Sequence, residues 1–255
     1  MPRIGLQLYT LRDDIARDFE GVVRAVARMG YEAIEHGGGF GAPPESLQSL
    51  LQETGLSVAG LGYSLEDVET RLSEAVDYLH ALNTQYAITF WIDESQRRTA
   101  DDWYRLAERF QRAGEALAQH GIHYLYHLHG YEFSPVDGDR RGVDILMENT
   151  QPDAFNLEPD TYWVEYGGAD AVAFCTQYAH RIRCVHLKDY VSKPDMHDVE
   201  IGEGAIDMKA IVRLAFQHDW DWLIVEQERY FRTPLESAER CYQNLKRIVA
   251  EVQAG

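Results

Sequence analysis

A chain of 255 residues with 42 Asp and Glu against 24 Lys and Arg carries a net charge of −18 and is 45% hydrophobic. This length suits one large domain or two small ones, and the apolar share supplies a sizeable core. The charge argues against nucleic acid, whose phosphates are held by Lys and Arg that displace counterions, and against anionic membrane surfaces.

The N-terminal MPRIGLQLYTLRDD has no basic segment followed by a long apolar stretch, so no signal peptide is expected. No apolar run is long enough to span a bilayer. Residues 4–9 read as a first strand. Ile15, Phe19, Val22, Val23 and Val26 then follow the i, i+4, i+7, i+8, i+11 spacing of one helix face. That helix ends at Gly30, a residue suited to the left-handed position after a helix, and residues 31–35 begin a second strand. The same phrase recurs: Leu47, Leu50 and Leu51 lead to Gly55 and a strand from 56, and a helix over 101–120 stops at Gly121 before a strand over 122–126. Further strands are expected at 86–91, 154–157, 183–187 and 222–225, with a last amphipathic helix over 235–252.

Eight strand–helix units in strict alternation call for parallel strands joined by right-handed helical crossovers. In one chain of this length, with no Pro- or Ser-rich linker, they favour a closed (β/α)8 TIM barrel, an α/β fold forming a single domain over 1–255. The longest loops, 92–100, 129–140 and 188–206, all follow strands. They therefore belong to the C-terminal face, where barrel active sites are built. The Gly37-Gly38-Gly39 run reads as a flexible loop more than as a phosphate cradle.

Each strand turns polar at its C-terminal end. Glu35 closes strand two; His127, His129 and Glu132 follow strand five; Glu158 and Asp160 follow strand six; His186 and Lys188 follow strand seven; Glu226 and Glu228 follow strand eight. Residues two apart on a strand share a face, so His127 and His129, or His186 and Lys188, can point inward together. Carboxylates crowded in a poorly solvated pocket repel one another, and a divalent cation with carboxylate and imidazole ligands resolves the conflict. Singly, each of these residues is more simply a hydrogen-bonded structural group, and Glu228 and Asp189 read as solvated or paired. Their shared position at successive strand ends is what carries the inference. Cys175, Cys184 and Cys241 are odd in number and lack CxxC spacing, which points to unpaired thiols in a reducing, cytoplasmic setting.

The motifs IGLQLYTLRD, YHLHGYEF (126–133), DTYWV (160–164), VHLKD (185–189), IGEGAID (201–207) and IVEQE (224–228) resemble, in order, those of sugar phosphate isomerase/epimerase proteins. These belong to the xylose isomerase-like TIM-barrel superfamily, with inosose dehydratases, ketose 3-epimerases and endonuclease IV. The resemblance implies one divalent metal ion held by Glu132, Asp160, His186 and Glu226, a ligand set that suits Mn²⁺, Mg²⁺ or Co²⁺ at least as well as Zn²⁺. Three departures stand out. His127 occupies the place of a glutamate that ketose 3-epimerases use for proton transfer. Gly62 stands where many relatives have a histidine at the end of strand three, a loss expected to enlarge the pocket or alter which sugar hydroxyl is recognised. Pro159 precedes Asp160 and is expected to bend the strand end.

The resemblance implies a metal-dependent isomerase or epimerase of a sugar, keto sugar or polyol-derived ketone, working through an enediolate. Glu226 and His127 are the expected proton carriers, and Lys188 the expected partner of oxyanion charge. His129, Glu35, Trp163 and Arg229 are the expected substrate contacts, with Tyr162 and Trp91 as further stacking surfaces. The alternatives are a dehydratase or lyase of the inosose type, which the His127 replacement suits, and a non-catalytic sugar-binding protein. An endonuclease IV-like role conflicts with the net charge. The expected partner is a small carbohydrate, with neither nucleic acid nor membrane, and the chain is compatible with a homo-oligomer.

Overall fold

The computed structural model describes residues 1–37 and 43–254. Eight parallel strands follow one another along the chain: β1 (Arg3–Gln7), β2 (Ala33–Gly37), β3 (Ser57–Gly62), β4 (Tyr86–Thr89), β5 (His123–His127), β6 (Asn156–Glu158), β7 (Cys184–Leu187) and β8 (Trp222–Val225). They form one sheet in the order β6-β5-β4-β3-β2-β1-β8-β7. Its edges, β6 and β7, meet through two isolated parallel bridges, Leu157 with Ile182 and Asp160 with His186, which nearly close the ring into a TIM barrel. Pro159 lies at this seam. It has no N–H to donate, so β6 ends at Glu158, while its carbonyl accepts from His186 N at 2.9 Å.

Helices between the strands cover the outside, from Phe19–Met29 and Pro44–Thr54 to Met208–Gln217 and Pro234–Ala254. Local chemistry sets their starts. Asp18 accepts from Gly21 N at 2.9 Å, and this cap divides the single amphipathic run expected after β1 into Arg12–Ile15 and Phe19–Met29. Thr99 and Asp102 form a reciprocal capping box at the head of Ala100–Ala118.

The apolar residues fall into two shells. The larger packs strands against helices and includes Val23, Leu61, Phe110 and Leu245; the smaller fills the barrel with Ala33, Ala59, Tyr86, Ile88, Leu125, Cys184, Trp222 and Ile224. Small and bulky residues alternate there because little volume is available. A Cβ on Gly5 would come within 2.7 Å of Ile224 Cδ1, so the bare backbone of β1 makes room for that side chain.

The structure shortens two expected strands. Residues 8 and 9 curl into the turn Leu8–Leu11, because Gln7 Oε1 accepts the Tyr9 N–H at 3.0 Å. β4 ends at Thr89, leaving Phe90 and Trp91 in the rim. The loops expected over 129–140 and 188–206 contain small antiparallel pairs, Pro135–Asp137 with Arg140–Arg141 and Asp189–Tyr190 with Asp198–Val199. Beyond Gly37, the glycine run lies outside the described residues. All three cysteines are buried and free, and no helix among the described residues is long and apolar enough to cross a membrane.

Candidate active site and metal centre

Strand register assembles the site. Gln7 pairs with Glu35 between β1 and β2, His127 with Glu158 between β5 and β6, and Asp160 with His186 at the seam. One ligand atom from each of His127, Asp160, His186 and Glu226 lies within 4.8 Å of those from the other three, and all four residues are buried. Ligand atoms of a second group, Glu35, Glu158 and His186, lie equally close to one another, within 4.8 Å. His186 joins the two. Its Nδ1 is 2.6 Å from Glu226 Oε2 and its Nε2 is 2.6 Å from Glu35 Oε1, which also accepts from Gln7 Nε2 at 2.9 Å.

The electrostatics are unbalanced without a further positive charge. Burial pushes the Glu158 carboxyl well above its ordinary range, and the charge of Glu35 adds to the effect. Burial also pushes Asp160 up to about 8. Burial would likewise raise Glu226, but hydrogen bonding to His186 and the charge of Lys188 outweigh it and hold Glu226 down to about 2. For His186, burial works against the charged form, while the carboxylates of Glu35 and Glu158 overcome it and raise the pKa well above the usual value. Burial depresses His127 strongly and His129 to about 4, so both imidazoles are neutral at pH 7. Buried atoms without a hydrogen-bond partner converge here: His127 Nδ1, both oxygens of Glu158, Asp160 Oδ2 and Glu35 Oε2. Unsatisfied acceptors of this kind are costly in a low-dielectric interior, and a divalent cation satisfies several at once. The residues present thus fit a metal ion held by His127, Asp160, His186 and Glu226, with Glu35 orienting the far nitrogen of His186.

Several expectations change. Glu132, expected among the ligands, is absent from both groups: its carboxylate accepts from Tyr126 Oη at 2.7 Å and from His129 N at 2.9 Å. Burial pushes it up to about 7. His127 takes its place. Glu35, expected to touch substrate, is fully buried and its Oε1 is used by Gln7 and His186. Lys188 is 1% exposed. Its ammonium donates to Glu228, lies 3.9 Å from Asp198 and 4.0 Å from Glu226, and sits 5.0 Å from the ring centres of Tyr162 and Trp163. It is a buried counter-charge. Arg229 turns away to Asp198, Tyr162 Oη and the Met196 carbonyl, strapping the β8 loop to the β7 loop. Asp189 is a loop anchor, accepting from the N–H groups of Gly202, Gly204 and Ile206. Gly62 leaves no vacant space, since a Cβ there would lie 2.5 Å from Phe90, whose ring fills the position.

A cavity of about 560 Å³ opens above the group, lined by Gln7, Tyr9, Phe90, Trp91, Trp163 and Glu228 together with His127, His129 and Glu226. His129 and Trp163, both expected as substrate contacts, are therefore placed on its wall. Glu158 had been read as one of the polar strand ends but not as a ligand, while Gln7 and Tyr126 had not been singled out as functional. Gln7 lies at a strand end like the others, a signal available in the sequence; the role of Tyr126 depends on a hydroxyl contact that is not.

The model of the xylose isomerase-like TIM barrel family matches residues 23–248. The inosose dehydratase of Geobacillus kaustophilus (strain HTA426) is 30% identical over 253 residues, covering 82% of this chain and 79% of that protein. Among solved structures, a sugar phosphate isomerase/epimerase from Parabacteroides distasonis ATCC 8503 superposes with a TM-score of 0.84 at 22% identity, covering 99% of this chain and 96% of that one. The IOLI protein with a binding zinc atom superposes with a TM-score of 0.74 at 15% identity, covering 98% and 99%. An eight-stranded barrel, a buried acid–imidazole group at its rim and a matching model over most of the length lead to one conclusion: this chain belongs to the xylose isomerase-like TIM barrel family.

Proposed function

We propose that the protein is a divalent-metal-dependent dehydratase of a cyclic polyol ketone, of the inosose type. The observation that carries this reading is the asymmetry of the proton carriers facing the cavity: a neutral imidazole, His129, and an ionised carboxylate, Glu226. The inosose dehydratase relative points the same way. His127, Asp160, His186 and Glu226 would hold the ion, which when bound supplies positive charge to a carbonyl oxygen as that oxygen becomes negative. His129 takes the proton from the carbon beside the carbonyl, and the nearby charge of Glu226 favours the imidazolium that results. The same proton passes to the hydroxyl leaving the next carbon. One C–H and one C–O bond break, a C=C bond forms, and water departs. Trp163 and Trp91 present aromatic faces to the ring and limit water access.

One observation favours a second reading, an isomerase or epimerase. With two distinct carriers on the wall, a proton taken by one and returned by the other inverts or shifts the carbonyl neighbourhood without losing water. Incubation with 2-keto-myo-inositol and Mn²⁺, Mg²⁺, Co²⁺ or Zn²⁺ separates them. Dehydration lowers product mass by one water and creates a new ultraviolet chromophore; epimerisation in D₂O conserves the carbon skeleton and its oxygens while adding deuterium beside the carbonyl. Neither product nor exchange from any polyol ketone that binds would reduce the protein to a sugar binder and overturn both.

A further inference from the structure

A second cavity of about 730 Å³ adjoins the first and shares Gly37, Phe90 and Trp91 with it. Each chamber alone falls within the ~300–1,000 Å³ of small-molecule sites. The further wall comes from the β3 loop and the helices behind it, with Tyr63, Ala75 and Tyr78 beside a charged rim of Asp67, Arg71 and Glu74. Its exposed lining is mainly apolar. Two features show more than a surface dent. Trp91 is 56% exposed at the junction, an unusual position for a large indole. The Tyr63 hydroxyl is buried without a hydrogen-bond partner, in a wall shared with Tyr78, Asp67 and Arg71. The absence of a side chain at Gly62 lets Phe90 pack into the partition between the chambers.

We infer that the second chamber is a subsite for a ring joined through a glycosidic bond to the sugar or polyol in the first, so that the substrate class includes glycosides of a ketosugar. Aromatic faces with a polar rim suit a pyranose or an aryl ring, each having an apolar face and edge groups that hydrogen-bond. The shared wall at Phe90 and the exposed Trp91 selects this occupant over an unrelated ligand, because a molecule seated beside the metal group needs only to extend past these two side chains to enter the second chamber. The inference rests on the proposed reading of the first chamber as the substrate site.

The test measures affinities of the Mn²⁺-loaded protein, by calorimetry, for the methyl and phenyl 3-keto-glycosides of D-glucose and D-galactose and for the matching 3-keto-disaccharides. For at least one sugar, the phenyl glycoside or disaccharide is expected to bind about tenfold more tightly than the methyl glycoside. Glu74→Trp, an exposed helix position outside the first chamber, should abolish that advantage while leaving methyl glycoside affinity unchanged. Tyr63→Phe should weaken the disaccharide more than the phenyl glycoside if the occupant is a sugar, and weaken neither selectively if it is an aryl ring. Absence of any advantage over methyl glycosides, including failure of every glycoside to bind, overturns the inference. So does an advantage that survives Glu74→Trp. Because this contrast is one of binding, it stands or falls separately from the dehydration and deuterium-exchange assays of the proposed reaction.

Discussion

Replacing Glu35 with Gln tests the electrostatic frame of the metal group. Glu35 Oε1 accepts from Gln7 Nε2 at 2.9 Å and lies 2.6 Å from His186 Nε2, in a fully buried position. When His186 offers Nδ1 to a cation, the carboxylate holds the Nε2 proton and raises ligand basicity. Glutamine keeps the shape and one acceptor oxygen but removes the charge. Loss of such a partner costs 10–100-fold in metal affinity in comparable sites, about 1.4–2.8 kcal/mol. The assay is competition of a coloured chelator for Mn²⁺ and Zn²⁺ at pH 7.5, with circular dichroism to confirm folding. Glu35→Ala should lose more, because it strands Gln7 Nε2 and His186 Nε2 in the interior. A folded Glu35→Gln protein whose affinity for both ions stays within about twofold of the parent would refute the orienting role.

Three further outcomes are expected. His127→Ala and Asp160→Asn should each abolish stoichiometric metal binding measured by elemental analysis, whereas Glu132→Gln should retain it, since Tyr126 Oη can accept from the new amide while donating to Tyr131 Oη, 3.1 Å away. The metal-free protein should lose stability as pH rises. Glu132, pushed by burial to about 7, favours folding fully below its unfolded value near 4.5 and loses that contribution as pH passes through 7. Glu132→Gln should reduce this slope by the share of Glu132, on the order of 3 kcal/mol across the window, leaving the part due to Asp160 and Glu158, as read from urea midpoints at pH 5 and pH 8. Gly62→Ala should destabilise by about 1–3 kcal/mol, because its Cβ would lie 2.5 Å from the Phe90 ring and 2.7 Å from Gly37 Cα; combined Phe90→Ala should recover part of that loss, and strict additivity would count against the clash.

The alternation of apolar runs, capping residues and glycines made the barrel legible, because each strand–helix unit is specified locally. Strands 183–187 and 222–225 match β7 and β8 to within a residue, and Asp160, His186 and Glu226, read from the sequence as strand-end residues, come together in one buried group. Their positions follow from register, which period-two patterning dictates. Glu132 shows where this reasoning stops. It lies beyond β5 in the turn Tyr131–Phe133, where no strand period governs direction, and its carboxylate is taken up by Tyr126 Oη and His129 N outside the acid–imidazole group. Lys188, expected beside oxyanion charge, and Arg229, expected to touch substrate, are engaged elsewhere for a related reason: a long cationic side chain settles on whichever carboxylates other loops bring near it, here Glu228 and Asp198. Sequence alone therefore determined the eight units, the rim they share and three members of the acid–imidazole group. Tertiary structure decided which remaining groups face the cavity, because the aim of a side chain on a turn depends on partners brought together only when the barrel closes.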